Sequence, residues 1–254
     1  TRADFRDGTW YLTGEKWFVT SYNACDYVIV HAHVDDDPDK PTLFLVDKPA
    51  ANVTHVRSPK FMHNFAFDHA ELIFRETPVP AACQLGKVGQ GFDLTKDWFV
   101  EARLQIAAHT IGAATRAAEI ASEFAGTRKQ FGRVIRDFQG VEFMLADMAV
   151  DLFAAKSMLY RVAAEVDAGA DRSLIHAHAS ALKLFCSEAS GRILDKAVQV
   201  LGGRGYMREN PVERLYRDVR VDRIWEGTSE IQRIVVGGRI AKRGMGIYSE
   251  PVSA

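Results

Sequence analysis

Residues 138–166 read FQGVEFMLADMAVDLFAAKSMLYRVAAEV, and the period of this stretch decides the fold of the chain's second half. Phe138, Val141, Leu145, Met148, Leu152, Ala155, Leu159, Val162 and Val166 recur three or four residues apart. That spacing keeps one face of an α-helix apolar for about eight turns. Gly169 then supplies a stop.

The same pattern extends outward on both sides. Upstream, Ala107, Ile111, Ala114, Ala118, Ala121 and Ala125 line one face of an earlier helix, and so many alanines let a neighbouring backbone come close. Downstream, a third helix runs from about Ser173 through Ile175, Ala179, Leu182, Cys186, Ala189, Ile193 and Val200, stopping at Gly202-Gly203. A last one follows Thr228-Ser229, where Ser229 and Gln232 fit the capping-box spacing. Four narrowly striped helices predict an antiparallel four-helix bundle with the striped residues as core. A di-iron centre, common in bundles, needs paired Glu-x-x-His, and the chain has none.

Before about Gln84 the pattern is β. Thr9–Thr13 and Lys16–Thr20 flank Gly14-Glu15 and predict a hairpin. Tyr27–Val34, Thr42–Val46, Val53–Arg57 and Glu71–Phe74 read as further strands, and Thr77–Pro80 ends the run. Asp35–Asp39 reads as a solvated loop. The expectation is therefore an α+β chain: a partial antiparallel β-barrel or β-sandwich over residues 1–85, then a four-helix bundle over 86–254. A strand pair this soon after Thr1, with no initiating Met, reads as a piece of a longer protein.

The totals exclude several classes. At 254 residues and 47% hydrophobic, the chain is long enough and apolar enough for a substantial core. Every apolar run is broken by charge, which predicts no membrane insertion. With 32 basic residues against 33 acidic, nothing favours nucleic acid. Cys25, Cys83 and Cys186 are odd in number and far apart, which predicts free thiols in a reducing compartment and no cysteine-based metal site.

Three segments point to chemistry. In Arg223-Ile224-Trp225-Glu226-Gly227-Thr228-Ser229-Glu230-Ile231-Gln232-Arg233, Glu226 stands on a Gly-Thr-Ser turn between an aromatic residue and an amphipathic stretch. A carboxylate so placed suits abstraction of a weakly acidic proton next to a carbonyl, with surface Glu as the bland alternative. In Thr127-Arg128-Lys129-Gln130-Phe131-Gly132-Arg133, Arg128 suits a pyrophosphate and Phe131 a planar ring. In Gln199-Val200-Leu201-Gly202-Gly203-Arg204-Gly205-Tyr206, three glycines in four positions let backbone amides approach a ligand. Arg214, Arg217, Arg220 and Arg223 recur every third residue, but Glu213, Asp218 and Asp222 are interleaved, which predicts internal ion pairing.

Taken in order, these pieces resemble the FAD-dependent acyl-CoA dehydrogenases. The match also rests on Gly14-Glu15-Lys16-Trp17-Phe18-Val19-Thr20, Gly89-Gln90-Gly91-Phe92, Glu101-Ala102-Arg103-Leu104 and Pro211-Val212-Glu213-Arg214-Leu215-Tyr216-Arg217-Asp218. The resemblance implies oxidation of the α–β bond of an acyl-CoA thioester. Glu226 would take the α-proton while the β-hydrogen leaves as hydride to flavin N5, the carbonyl being polarised by the Glu226 amide. It implies that Phe18 packs on the flavin and Thr20 bonds near N5. Arg128 and Phe131 would reach the FAD of a neighbouring subunit, with Gln199, Gly202 and Gly203 on its adenine side. Thr228 and Ser229 would contact the diphosphate, while Arg103 and Gly227 would lie on the substrate side. The implied electron acceptor is an electron-transfer flavoprotein, the implied assembly a homotetramer, and the implied location bacterial cytoplasm or mitochondrial matrix. An acyl-CoA oxidase on the same scaffold is the alternative, followed by a non-catalytic partner subunit completing a neighbour's FAD site.

Three departures accompany the resemblance. The family's N-terminal helical domain and its glycine-rich flavin strand have no counterpart among the 254 residues, and the resemblance implies an incomplete flavin and acyl pocket if the chain acts alone. His63-Asn64-Phe65-Ala66 stands where members commonly carry Gly-x-Arg-x-Ser, which leaves the acyl group open. Some members place the base immediately before the arginine matching Arg103. Here that residue is Ala102, and Glu101 lies about a hundred degrees round the helix, so Glu226 keeps the role.

Overall fold

A computed structural model describes residues 1–63 and 66–249, so Asn64 and Phe65 of the departing segment lie outside the described residues. The chain forms two compact units, Thr1–Phe61 with Phe65–Trp98, and Met62–Asn64 with Phe99–Ala254.

The first unit carries β1 (Arg2–Arg6), β2 (Thr9–Thr20), β3 (Tyr27–Val34), β4 (Pro41–Asp47), β5 (Val53–Arg57), β6 (His69–Pro80) and β7 (Gln84–Leu85). They form one seven-stranded sheet in the order β5-β6-β2-β1-β3-β4-β7, antiparallel except for the β1–β3 pairing. Alternate residues of the strands build its core: Trp10 and Leu12, Val30, Ala32 and Val34, Phe44 and Val46, Leu72 and Phe74.

Two sequence expectations need correction. Gly14-Glu15 is not a hairpin turn; β2 runs straight through it, and the turn lies earlier at Asp7-Gly8, between β1 and β2. Both turn residues have positive φ (48° and 78°), as a two-residue hairpin loop requires. Gly14 instead sits where the β2–β6 register slips between Leu12 and Gly14. A Cβ there would meet the Thr1 backbone at 2.7 Å, so the glycine permits a close approach. Thr77–Pro80, read as a terminator, is the end of β6, with Pro78 opposite Tyr11 and Pro80 opposite Thr9. Pairing with β5 ends at Phe74, so β6 is an edge strand beyond it and tolerates proline.

The helical elements are α1 (Gly91–Thr127), α2 (Gln139–Asp167), α3 (Arg172–Leu201), α4 (Pro211–Asp218), α5 (Ser229–Arg243) and α6 (Gly246–Ser249), and the boundary between units falls within α1 after Trp98. In the second unit α3 is the most buried helix. Ala179, Leu182, Cys186, Ala189, Ile193 and Ala197 are all fully inaccessible, and α2, α4 and α5 pack on it. The α2 stripe buries Met148, Ala155 and Val162, but Val166, expected as core, is exposed in the last turn of the helix. Asp171 caps α3 through the Leu174 amide, and Asn210 caps α4 ahead of Pro211. The cap of α5 is Thr228, whose hydroxyl accepts from the Ile231 amide at 3.4 Å. The capping residue therefore sits one position before the predicted Ser229, whose hydroxyl is used elsewhere.

All three cysteines are free, and burial pushes the Cys186 thiol up to about 12. Among the described residues no helix is long and apolar enough to cross a membrane, and no His, Cys, Asp or Glu cluster suits a metal ion.

Candidate active site

The segment that carries Glu226 is a strained turn held from below. After the 3₁₀ turn Val219–Arg223, the Trp225 amide still donates to Val221 O, and the chain then reverses direction. Glu226 does so with φ +52° and Gly227 with φ +90°. A left-handed non-glycine residue costs about 1–2 kcal/mol and persists only where its surroundings over-determine it. Here the surroundings are two buried side chains. Lys183 of α3 donates from Nζ to Gly227 O at 2.8 Å. Gln232 of α5 donates from Nε2 to Gly227 O at 2.9 Å and to Glu226 O at 3.2 Å. Both side chains are fully inaccessible.

The charges around this turn are unequal in exposure. Glu226 is half-buried, and burial raises its carboxyl above the ordinary value, while Lys183 and Arg103 act in the opposite direction. Burial lowers Lys183 to about 8 and raises Asp222, on the 3₁₀ turn, to about 7. Arg103 of α1 is 4% exposed; its Nη1 meets Ser180 Oγ at 3.0 Å and His176 Nδ1 at 3.4 Å. Glu188 of α3 accepts from Ser229 Oγ at 2.7 Å and from Arg223 Nη1 at 3.4 Å.

Glu226, Gly227, Thr228 and Ser229 thus form one turn whose charge environment includes Arg103. The remaining candidates occupy other places. Arg128 follows α1, and Phe131, 90% exposed with φ +49°, tips the small hairpin Lys129–Gln130/Arg133–Val134. Gln199 is exposed in the last turn of α3, where Gly202 (φ +58°) and Gly203 follow. In the first unit Phe18 has φ +60° and its half-exposed ring packs edge-on to Trp17 and Phe61. Thr20 Oγ1 lies 3.0 Å from His69 Nδ1. The arginine series includes bidentate pairing of Arg217 with Glu213 and the Arg223–Glu188 contact, whereas Asp222 is buried, with Lys183 as a charged neighbour.

Sequence reasoning missed Lys183, Gln232 and Asp222 as members of the site. For Lys183 a signal was present: it falls inside the α3 stripe, four residues after Ala179 and three before Cys186. A lysine on the apolar face of a helix has to find a buried acceptor.

The residues assigned to FAD fit such a group. A side chain added at Gly202 or Gly203 would meet only open space, leaving that backbone accessible to a ligand. Phe131 and Phe18 offer exposed rings, and Arg128 an exposed guanidinium.

Residues 89–241, more than half of the chain, match the family described as acyl-CoA dehydrogenase, C-terminal domain. The chain belongs to the acyl-CoA dehydrogenase family. Caffeyl-CoA reductase-Etf complex subunit CarC of Acetobacterium woodii is 36% identical over 239 residues, 93% of this chain and 62% of the relative. Butyryl-CoA dehydrogenase from Megasphaera elsdenii superposes with a TM-score of 0.88 at 32% identity, over 95% of this chain and 63% of that one. An acyl-CoA dehydrogenase from Bacillus anthracis, complexed with FAD, superposes with a TM-score of 0.87 at 30% identity, over 96% of this chain and 45% of that one. The chain thus spans somewhat under two thirds of the length of the first two and under half of the third.

Proposed function

We propose that the protein catalyses α,β-dehydrogenation of an acyl-CoA thioester, with Glu226 as the base. The observation that carries this reading is the Glu226–Gly227 turn. A carboxylate raised by burial is held in a left-handed conformation by two inaccessible side chains, Lys183 and Gln232. A general base works best when its pKa is moved toward the operating pH and its geometry is fixed beforehand.

In this reading the Glu226 carboxylate takes the proton α to the thioester carbonyl, and the Glu226 amide donates to that carbonyl's oxygen as charge develops on it. An apolar acyl chain lying against the turn displaces water and raises the carboxyl further. Arg103 and Gly227 stand on the substrate side. Bound FAD supplies the two-electron acceptor that takes the β-hydrogen as hydride. Phe18 and Thr20 would hold its ring, Thr228 and Ser229 its diphosphate (Ser229 through its main chain, since its hydroxyl donates to Glu188), Gln199, Gly202 and Gly203 its adenine side, and Arg128 and Phe131 would reach the FAD of a neighbouring subunit. The electrons pass on to an electron-transfer flavoprotein, consistent with the Etf complex named for the Acetobacterium relative. The assembly is a homotetramer in which the sheet is part of a barrel-like β domain, and α1, α2, α3 and α5 are the bundle helices.

The test is the full-length protein purified with its cofactor and mixed anaerobically with acyl-CoAs of varied length, branching and ring content. A bound flavin whose visible band bleaches with at least one thioester is the expected result. A protein that takes up no FAD, or whose flavin no acyl-CoA reduces, overturns the proposal.

A further inference from the structure

We infer that Lys183 is a positioning residue for the base: from inside α3 its ammonium holds the Gly227 carbonyl, fixing the turn that carries Glu226 and placing a cation beside it. The inference rests on the base assignment proposed above.

Lys183 is among the largest fully buried side chains of the protein, set in the α3 stripe between Ala179 and Cys186, both inaccessible. A lysine there opposes folding. Taking an ammonium out of water costs several kcal/mol, and an apolar side chain of equal volume is often the more stabilising choice. What the lysine supplies that such a residue does not is the 2.8 Å bond to Gly227 O and a charge. The bond falls on the residue next to Glu226, and Gln232 reaches the same carbonyl at 2.9 Å from the other side. Two donors from two helices, α3 and α5, converge on one oxygen of a turn whose φ values are unfavourable for any side chain.

The charge has a direction. Lys183 favours the ionised form of Glu226, while burial opposes it. The other charged groups acting at the same place are Asp222 from the 3₁₀ turn, Glu188 from α3 and Arg103 from α1. When ionised, Asp222 and Glu188 favour the protonated form of Lys183, and Arg103 opposes it. Lys183 therefore sets how far the carboxyl can rise before the base becomes a spectator acid. Water exclusion by an acyl chain raises Glu226, and the cation beside it limits that rise.

The experiment uses the full-length FAD-loaded protein with Lys183→Met, an uncharged side chain of similar length, and Lys183→Gln, which keeps a neutral donor. Flavin reduction by a saturating acyl-CoA is followed in single turnovers across pH, alongside amide hydrogen exchange at residues 226–229. In Lys183→Met the reduction rate at neutral pH falls about 10-fold or more, and the acidic limb of the profile moves up by about one pH unit. Lys183→Gln moves the limb in the same direction while slowing the turn's exchange relative to Lys183→Met. Affinity for acyl-CoA changes less than about 3-fold in both, since the residue is inaccessible. A limb at the wild-type pH in both variants, with the same proportional loss at every pH, overturns the inference. If wild-type flavin is reduced by no acyl-CoA, the base assignment fails by itself. Exchange then decides for Lys183: faster exchange at 226–229 in Lys183→Met supports its hold on the turn, and unchanged exchange overturns it. Failure of both variants to fold places Lys183 in the core alone and also overturns the inference.

Discussion

The hydroxyl of Ser229 donates to Glu188 Oε1 at 2.7 Å, tying the first residue of α5 to the middle of α3. Ser229 is only 3% exposed, and the other Glu188 oxygen faces Arg223 at 3.4 Å. A hydrogen bond to a charged acceptor in such surroundings contributes about 1.5–3 kcal/mol. Ser229→Ala should therefore lower the melting temperature by several degrees. Thermal unfolding with and without FAD checks this. An unchanged melting temperature combined with weakened FAD binding would mean that the hydroxyl serves the diphosphate and not Glu188.

Glu226→Gln should reduce the rate of flavin reduction by about two to four orders of magnitude, the usual contribution of a general base. The fold should be untouched, because the turn is held through the main-chain oxygens of Glu226 and Gly227 and not through the carboxylate. The measurement is anaerobic stopped-flow reduction beside a thermal melt. Near-normal reduction would remove Glu226 from the base role.

Gly227→Ala tests the turn itself. At φ +90° any side chain is strained, and the new Cβ would lie 2.7 Å from the inaccessible Gln232 Nε2, so that amide must shift. The expected cost is about 1–3 kcal/mol of stability, with slower flavin reduction as Gln232 leaves the two carbonyls. A variant with wild-type melting temperature and rate would show that the turn relaxes freely and that its geometry is not pre-set.

Most of the helical unit was legible because its signals are local and redundant. The α2 stripe, the stops at Gly169 and Gly202-Gly203, and the Glu-Gly-Thr turn each stand within a few residues of one another. The β1–β2 hairpin was misplaced because two glycines competed for one turn, and pattern alone preferred Gly14. Asp7-Gly8 was the better signal, since both of its residues adopt positive φ, whereas Gly14 owes its identity to the Thr1 backbone pressed against it. Thr77–Pro80 reads as a terminator in the sequence because an edge created by the end of β5 pairing is a property of the neighbouring strand. Lys183 and Gln232 were unreadable as a pair: they lie 43 and 6 residues from Glu226, and only α3 and α5 packing joins them.

Asp222 should give stability a pH dependence of its own. Burial raises its carboxyl from 3.8 to about 7, against the pull of Thr110, Trp225 and Lys183, while Asp218 reinforces the rise. The folded protein thus keeps a proton that the unfolded chain releases. The resulting stabilisation is fully present below about 3.8 and is lost as pH rises through about 7. Histidines such as His109, lowered by burial, slope the opposite way near neutrality, so the total curve hides the effect. The difference between wild type and Asp222→Asn isolates it. Wild type should lose stability relative to the variant between about pH 5 and 7. Lys183, lowered further once Asp222 is neutral, shifts the difference in the same direction. Urea unfolding of both proteins at several pH values measures that difference, and parallel stability curves from pH 5 to 8 would show that Asp222 ionises as an ordinary carboxylate.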